Sequence, residues 1–241
     1  MSRLLPGRRP TRLTGPQVAV AWQSASLLLG YPDVELVDRL DLIRSACRDL
    51  PERVAGPLLE CVDALGGVPL TDLEADYVDT FDTRRRHNLF LTYFAHGDTR
   101  KRGMALLRFK QTYLASGLEL TDTELPDHLC VVLEYAATVD AEAGRGLLLD
   151  HRAGLELLRI SLAEAGSRWA GAVAAVCSTL PPLEGDEWEA VRRLAAEGPP
   201  EEEVGLTPYA TPAFDPGPAH PDGPTLLPMP SFPTPSIRGA R

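Results

Sequence analysis

Apolar residues recur at intervals of three and four along most of the chain, from about Gln17 to Gly198, which is the spacing of one face of an α-helix. The clearest stripes are Val18, Trp22, Ala25 and Leu29; Leu36, Leu40, Ile43 and Cys47; Leu125, Leu129, Val132, Ala136 and Val139; Leu148, His151, Leu155, Leu158 and Leu162; and Trp169, Val173, Val176 and Leu180. No run of β-branched and aromatic residues alternates with polar ones, so no strand is expected. The pattern predicts an all-α fold in which residues 17–198 form a single helical, bundle-like domain of about eight or nine helices.

Turn-forming and capping residues mark the ends of these stripes. Stop signals occur at Gly30-Tyr31-Pro32, Gly66-Gly67, Gly117, Gly166 and Pro181-Pro182. Thr71 and Glu74 have the spacing of a capping box, and they predict a helix that begins directly after Thr71.

The composition changes after Gly198. Twelve of the 22 prolines lie beyond that residue. Proline at this density supports neither helical nor ladder hydrogen bonds, because it lacks a backbone N–H. We therefore predict a Pro-rich, disordered tail over residues 199–241 and a flexible N-terminus over residues 1–16.

Composition and charge narrow the class of protein. Hydrophobic residues make up 44% of the chain, which excludes a wholly disordered protein. The formal net charge of −10 argues against a general nucleic-acid binder, which needs surplus cations, and it suits a partner segment that is basic. The four cysteines, Cys47, Cys61, Cys130 and Cys177, form no C-x-x-C pair and are expected to be reduced core residues.

Neither a secretory signal nor a membrane span is predicted. Arg8-Arg9 is followed by no apolar h-region. No apolar run approaches the ~18 residues that a span requires. We expect a cytoplasmic protein without membrane insertion.

A group of distinctive residues lies in the helix predicted after Thr71. Tyr77 and Phe81 are four residues apart and share a helix face. That face is either core or one wall of a groove for a partner helix. Asp76 and Asp79 are neighbours on the same helix, where they form either a solvated face or an acidic rim that meets a basic peptide.

Cationic residues are concentrated in the next segment, which contains Arg84, Arg85, Arg86, Arg100, Lys101, Arg102, Arg108 and Lys110. These side chains either pair with acidic helices of the same chain or contact an anion, such as an acidic patch of a partner or a phosphate group. Asp98 or Thr99 is expected to cap a helix, and a helix N-terminus flanked by arginines is suited to binding an anion.

The segment Glu124-Leu125-Pro126-Asp127-His128 is typical of a helix start, because proline suits the first turn and carboxylates favour the positive end of the helix dipole. Adjacent positions on a helix point about 100° apart, so Asp127 and His128 cannot form a catalytic dyad there. The five histidines have no metal-binding spacing, and no P-loop, G-x-G-x-x-G or G-x-S-x-G motif is present. We therefore expect no catalytic residue, no metal and no cofactor.

Two stretches of the chain carry a specific pattern. The first, from Ala75 to Leu107, reads ADYVDTFDTRRRHNLFLTYFAHGDTRKRGMALL, and the second, from Glu124, reads ELPDHLCVVLEYAA. Together they closely resemble the nitrate reductase molybdenum-cofactor assembly chaperones (the NarJ type, a branch of the TorD/DmsD redox-enzyme maturation chaperones). Leu28 to Asp33 fit the pattern more loosely, and the Pro-rich tail lies outside it.

The resemblance implies an all-α chaperone that binds the apo catalytic (alpha) subunit of a respiratory nitrate reductase, chiefly through that subunit's N-terminal segment. It implies that the chaperone promotes molybdenum-cofactor insertion and assembly of the complex, is absent from the final enzyme and has no catalytic activity. Molybdenum-cofactor delivery proteins are the further partners it suggests. Nucleic acid is not an expected partner, and the protein is expected to be a monomer or a weak dimer.

The resembling family places the Glu124–His128 motif in a hinge beside its binding groove. The candidate client contacts are Asp76, Tyr77, Asp79, Phe81, Arg84, Arg85, Glu124, Pro126, Asp127 and His128, and the candidate anion contacts are Asp98, Thr99, Arg100 and Arg102. Two other classes of protein stay open. One is a helical hydrolase or transferase that uses His128 with a carboxylate from another helix. The other is a nucleic-acid-binding regulator that uses the patch from Arg84 to Lys110.

Overall fold

A computed structural model of the chain describes residues 12–97, 99–119 and 124–198. These ranges contain eleven α-helices: α1 Gly15–Leu29, α2 Val34–Cys47, α3 Glu52–Leu65, α4 Leu70–Tyr77, α5 Leu91–His96, α6 Arg100–Ala115, α7 Leu129–Thr138, α8 Ala141–Asp150, α9 Arg152–Glu164, α10 Ala170–Thr179 and α11 Gly185–Glu197. A π-helical turn at Val78–Asp82 continues α4, and a 3-10 turn follows at Arg85–His87.

The predicted all-α class is confirmed, with more helices than the periodicity suggested. The stripe from Leu148 to Leu162 crosses two helices, because the backbone leaves the helical region at His151 (φ −111°, ψ 21°). Helix α5 has six residues, too few for its periodicity to be recognised. Within the described ranges the only β-type pairing is an isolated antiparallel bridge between Phe90 and His128. Residues 1–11 and the predicted tail over 199–241 lie outside the described residues.

Local caps explain where several helices begin. A capping box opens α1 at Thr14, and the side chain of Asp33 caps α2. The prediction of a cap at Thr71 is wrong, since α4 begins at Leu70, two residues before the predicted start. Pro69 takes the cap position there with a φ of −56°, which already fits the entry to a helix.

Helix α1 packs against α2, α3, α7 and α10 and organises the core. Its Trp22 is fully buried and donates the indole N–H to the Thr179 hydroxyl at 2.9 Å, which ties α1 to the end of α10. Helix α9 packs on α10 and α11. All four cysteines are free thiols that lie in this core or against it.

No single helix among the described residues is long and apolar enough to cross a membrane. One pair, Glu52–Leu65 with Leu70–Asp82, meets the criteria of length and composition when its members are joined, but the chain bends by 118° between them. In the same ranges, no three His, Cys, Asp or Glu side chains come together in a way that would hold a metal ion.

Helices α3 and α10 approach each other so closely that one position excludes a side chain. A Cβ at Gly171 would lie 2.1 Å from the carbonyl oxygen of Pro57 and 3.4 Å from the Cβ of Cys61. The carbonyl belongs to the α3 backbone, so it cannot move aside as the end of a flexible side chain would. Packing therefore requires glycine at position 171.

Replacing Gly171 by alanine is expected to destabilise the fold by about 1–3 kcal/mol, because the added methyl group forces α3 and α10 apart. Gly146→Ala is the matched control. Gly146 also lies inside a helix, but a Cβ there meets nothing within 4 Å, so this change is expected to be neutral or to stabilise by about 0.5–1 kcal/mol. Urea unfolding measures both variants, and equal stabilities would contradict the close approach.

Candidate functional site

The two stretches that carry the specific sequence pattern meet through their backbones. The N–H of Leu91 donates to the carbonyl oxygen of Asp127 at 3.0 Å, and the N–H of Leu129 donates to the carbonyl oxygen of Leu89 at 2.8 Å. The two bonds flank the single antiparallel bridge described above. They hold the start of α5 beside the start of α7.

The side chain of Asp127 reinforces this junction from inside the fold. It is fully buried and accepts hydrogen bonds from the backbone N–H of Thr92, at 3.2 Å, and from the Thr92 hydroxyl. The guanidinium of Arg102 lies 3.6 Å from the same carboxylate oxygen, and its Nε donates to the Thr92 hydroxyl at 3.1 Å. A buried carboxylate needs such partners, because an isolated charge in the interior is costly. The network connects α5, α6 and the segment before α7.

The segment from Glu124 to His128 is not the helical turn that the sequence predicts, since α7 begins at Leu129. Backbone pairing with residues 89–91 holds the end of this segment in a non-helical conformation, and the helix begins only after the bridge at His128. Pro126 is buried in the turn before α7, and its carbonyl oxygen accepts a hydrogen bond from the Tyr113 hydroxyl at 2.7 Å. In this conformation the side chains of Pro126 and Asp127 present little surface to a partner.

Four aromatic rings pack together where α4 passes into the π-helical turn. The ring centroids of Tyr77 and Phe81 are 4.7 Å apart, which confirms that the two side chains share a face, and each lies 5.4 Å from that of Trp169. Tyr77 also contacts Tyr31, with centroids 5.3 Å apart, and donates its hydroxyl to the carbonyl oxygen of Leu29 at 2.9 Å. Phe81 and most of Tyr77 are therefore core. Burial raises the pKa of the Tyr77 phenol, so its hydroxyl stays protonated.

A cleft of about 380 Å³ opens beside Tyr77, and we call it the Tyr31 cleft. It is lined by Ser26, Leu27, Gly30, Tyr31, Asp33, Leu36, Arg39, Tyr77, Glu124, His128, Cys130, Val131 and Glu134. Tyr31 is 54% exposed although its ring packs on Tyr77. The cleft therefore offers aromatic surface that no other part of the described chain covers.

The charge of the Tyr31 cleft is negative. Asp33, Glu124 and Glu134 contribute three carboxylates to its lining. Arg39 lines it too, but its guanidinium is already paired with Glu35 at 2.6 Å. Exposed aromatic surface together with surplus negative charge suits a basic, amphipathic polypeptide segment.

Two titratable side chains of this cleft are held neutral. Burial lowers the pKa of His128 below its ordinary value of 6.5, and the nearby carboxylates of Glu124 and Asp127 oppose this only in part. Burial raises the pKa of the Cys130 thiol to about 12. A thiol that stays protonated is a poor nucleophile. The one cysteine that lines the cleft is therefore not an activated nucleophile.

The acidic candidates Asp76 and Asp79 line a different cleft, of about 550 Å³, which we call the Arg168 cleft. Asp76 pairs with Arg168 at 2.9 Å, and Asp79 pairs with Arg84 at 3.0 Å. Arg168 also donates to the carbonyl oxygen of Ala64 at 2.8 Å. The structure brings Asp76, Asp79 and Arg84 together, but places them on a different cleft from the residues that line the Tyr31 cleft.

Internal pairing accounts for part of the basic cluster. The pairs formed are Arg84 with Asp79, Arg102 with Asp127, and Arg108 with Asp150. Arg85 is exposed in the 3-10 turn between the π-helical turn and α5. Contact of Arg84 and Arg85 with a client stays a prediction.

The candidate anion contacts lie at the start of α6. Thr99 takes the N-cap position, as predicted, but its hydroxyl donates to the carbonyl oxygen of His96 at 2.8 Å and does not cap the helix. Arg100 is exposed in the first turn, and Arg102 is turned towards the buried carboxylate described above. Asp98 lies outside the described residues. An anion at this helix start stays a prediction.

Residues 47–175 match the profile of a protein family described as "Nitrate reductase delta subunit". The matched range is more than half of the chain and includes every candidate residue taken from the sequence. The chain belongs to the nitrate reductase delta subunit family.

Curated relatives agree with this family. The "Nitrate reductase-like protein NarX" of Mycobacterium tuberculosis is 42% identical over 167 residues, which are 66% of this chain and 24% of that protein. The "Nitrate reductase molybdenum cofactor assembly chaperone NarJ" of Escherichia coli is 36% identical over 150 residues, which are 60% of this chain and 63% of that protein. The chain thus spans about a quarter of the first relative and less than two thirds of the second. The solved structure of a redox enzyme maturation protein from Archaeoglobus fulgidus aligns with 72% of this chain and 98% of that chain, at 22% identity and a TM-score of 0.49.

Sequence reasoning missed the part that Tyr31, Asp33, Arg39 and Glu134 play in the Tyr31 cleft. Tyr31 and Asp33 belong to the stretch that fits the family pattern loosely, and that resemblance is the signal that points to them. Arg39 and Glu134 lie on exposed helix surface, where a single charged residue gives no signal. Only packing brings their helices, α2 and α7, to one cleft.

Replacing Asp127 by asparagine is expected to destabilise the fold by about 3 kcal/mol, because the change removes a fully buried carboxylate that accepts from Thr92 and lies beside the guanidinium of Arg102. Asp79→Asn is the matched control, since it removes a carboxylate from an exposed ion pair and is expected to cost less than about 1 kcal/mol. Urea unfolding of both variants at neutral pH measures the free energies of unfolding. Similar losses from the two changes would mean that Asp127 does not hold the junction.

The lowered pKa of His128 predicts a pH dependence of stability. The unfolded chain takes up a proton at this residue near pH 6.5, whereas the folded chain does so only at a lower pH. Stability is therefore unaffected by His128 well above pH 6.5 and decreases as the pH falls below that value. His128→Asn is expected to flatten the decrease in melting temperature between about pH 7 and pH 5. A slope identical to that of the unchanged protein would exclude His128 as its source.

Proposed function

We propose that this chain is a dedicated cytoplasmic chaperone that binds the apo catalytic (alpha) subunit of a respiratory nitrate reductase, chiefly through that subunit's N-terminal segment. In this proposal it promotes molybdenum-cofactor insertion and assembly of the complex, then dissociates and is absent from the final enzyme. The observation that carries the proposal is the Tyr31 cleft, an aromatic and net-negative cleft in a member of the nitrate reductase delta subunit family.

The names of the relatives support this class of function. NarJ of Escherichia coli is named an assembly chaperone for the molybdenum cofactor of nitrate reductase. NarX of Mycobacterium tuberculosis is named a nitrate reductase-like protein, and the part it shares with this chain is one segment of its length. The chaperone role proposed here follows the first of these names.

The Tyr31 cleft supplies the contacts that a client segment needs. An apolar client side chain packs against the exposed ring of Tyr31, and basic client side chains lie near the carboxylates of Glu124 and Glu134. Carboxylates near the surface attract a basic partner and speed its association more than they strengthen the complex. A client that has to be released after assembly is suited to binding of this kind.

The buried candidates support the cleft and do not contact the client directly. Asp127 holds His128 at the cleft by fixing the backbone bridge, and Phe81 supports Tyr77 from the side of the core. Chaperone function requires no catalytic group, in keeping with the protonated thiol of Cys130. The proposal includes a monomer or weak dimer and, as further partners, proteins that deliver the molybdenum cofactor.

The proposal is tested by producing nitrate reductase in cells with and without this chain. The chain is expected to co-purify with the alpha subunit that lacks cofactor, identified by mass, and to be missing from the purified complex. Without the chain, the molybdenum content of the alpha subunit is expected to fall. Full molybdenum content in its absence would refute the chaperone role.

Tyr31→Ala is expected to weaken binding of a peptide from the client's N-terminal segment by about 1–3 kcal/mol, because the exposed aromatic anchor of the cleft is lost. Leu42→Ala is the matched control, since Leu42 is 68% exposed and does not line the cleft. Isothermal titration calorimetry measures both affinities, and circular dichroism checks that each variant is folded. If the two variants bind equally well, the client segment binds elsewhere and the assignment of this cleft is wrong.

A further inference from the structure

A larger cleft, of about 840 Å³, lies among the N-terminal part of α1, the start of α8 and the connection between α10 and α11, and we call it the Arg152 cleft. It is lined by Arg12, Leu13, Gly15, Val18, Trp22, Arg53, Ala141, Glu142, Arg145, Arg152, Cys177, Ser178, Thr179, Leu180, Pro181 and Pro182. None of these residues lines the Tyr31 cleft or the Arg168 cleft.

Arg152 is buried in the wall of this cleft with part of its hydrogen-bonding capacity unused. Its Nη2 lies 2.6 Å from the carboxylate of Glu156 and makes long bonds to the carbonyl oxygens of Cys177, at 3.4 Å, and Pro181, at 3.5 Å. Glu156 also accepts from Arg159, so one carboxylate serves two guanidinium groups. The Nε and Nη1 of Arg152 donate to nothing within the described ranges. Buried donors without partners are costly, so Arg152 lies in this wall with its positive charge only partly compensated by hydrogen bonds.

The charge around this cleft differs from that of the Tyr31 cleft and the Arg168 cleft, whose lining includes more acids than arginines. Five arginines outside the Arg152 cleft lie beside carboxylates: Arg39 with Glu35, Arg44 with Asp63, Arg84 with Asp79, Arg108 with Asp150, and Arg168 with Asp76. The Arg152 cleft collects four arginines, and Glu142 is the one acid among its lining residues. Neither Arg53 nor Arg145 forms an ion pair with a carboxylate of the described residues. In a chain of net charge −10, this is a local surplus of positive charge.

The remaining lining side chains are largely apolar and include Leu13, Val18, Leu180, Pro181 and Pro182. A small inorganic anion would contact the arginines and leave these side chains uncovered. An extended peptide with both acidic and apolar side chains contacts both kinds of surface. The volume of the cleft is within the range of ligand-binding sites, roughly 300–1,000 Å³.

We propose that the Arg152 cleft binds an acidic, apolar segment of a partner polypeptide. Carboxylates of that segment pair with Arg53 and Arg145, while the buried Arg152 adds positive charge to the wall behind them. Charge complementarity selects this occupant, because four guanidinium groups exclude a basic segment of the kind proposed for the Tyr31 cleft. The two clefts therefore take segments of opposite charge, and this proposal does not depend on the chaperone function.

The test uses the full chain and a fluorescein-labelled peptide, Glu-Leu-Glu-Pro-Leu-Glu, with Gln-Leu-Gln-Pro-Leu-Gln as the neutral control. Fluorescence anisotropy is expected to show binding of the acidic peptide that weakens as NaCl is added, because salt screens the arginines. The double variant Arg53→Gln with Arg145→Gln is expected to bind at least about tenfold more weakly. Arg44→Gln with Arg48→Gln removes the same charge outside the cleft and is expected to bind as the unchanged protein does.

Thermal melting of each protein establishes that both double variants are folded. The proposal is overturned if the Arg53 and Arg145 variant binds the acidic peptide undiminished, or if the neutral peptide binds equally well. The affinity for inorganic pyrophosphate is measured in the same assay. If it binds more tightly than the acidic peptide at the same ionic strength, the cleft takes a free phosphate anion and the peptide assignment fails.

Discussion

The arrangement of the candidate site depends on one buried carboxylate. Asp127 has no contact with solvent, and its charge is balanced by Arg102 and by hydrogen bonds from Thr92. If this group were absent, the segment before α7 would keep two backbone hydrogen bonds and the packing of His128 on the ring of Phe90 at the start of α5. Because the network defines where that segment lies, it also defines where Glu124 and His128 meet α1 and α2. The acidic cleft is thus built on an ion pair that no partner has to contact.

The negative net charge of the chain is not distributed evenly over its surface. The Tyr31 cleft has three carboxylates around an exposed tyrosine, while the Arg152 cleft has four arginines around apolar walls. Most ion pairs in the rest of the described chain are exposed and contribute little to stability. They do cancel charge on the surfaces where they lie, so that fields of opposite sign remain at the two clefts. A protein with two such surfaces can distinguish between two segments by charge before any close contact is made.

Local sequence signals predicted the helices better than they predicted which residues line the Tyr31 cleft. Gly30 and Gly66 follow the last residues of α1 and α3, as a helix stop should, and the shared face of Tyr77 with Phe81 follows from spacing alone. Whether that face is core depended on Trp169, which approaches from a distant part of the chain. The extended conformation at His128 likewise comes from pairing with Phe90, which precedes it by more than thirty residues. The spacing of apolar residues at three and four positions predicts contacts within one helix, but it does not predict contacts between residues that are far apart in the sequence.

The π-helical turn at Val78–Asp82 is a place where this helix can change in length by one residue. A π turn contains one residue more than an α-helical turn, so loss of a single residue from it would restore an ordinary helix. The turns on either side would keep nearly the same orientation, because the π turn already absorbs the extra residue. The aromatic side chains of Tyr77 and Phe81 would then be three residues apart and would still share a face. Loss of a residue from α4 itself would instead rotate that face by about 100° away from Trp169, so a difference of one residue among homologues is expected in the π turn and not in α4.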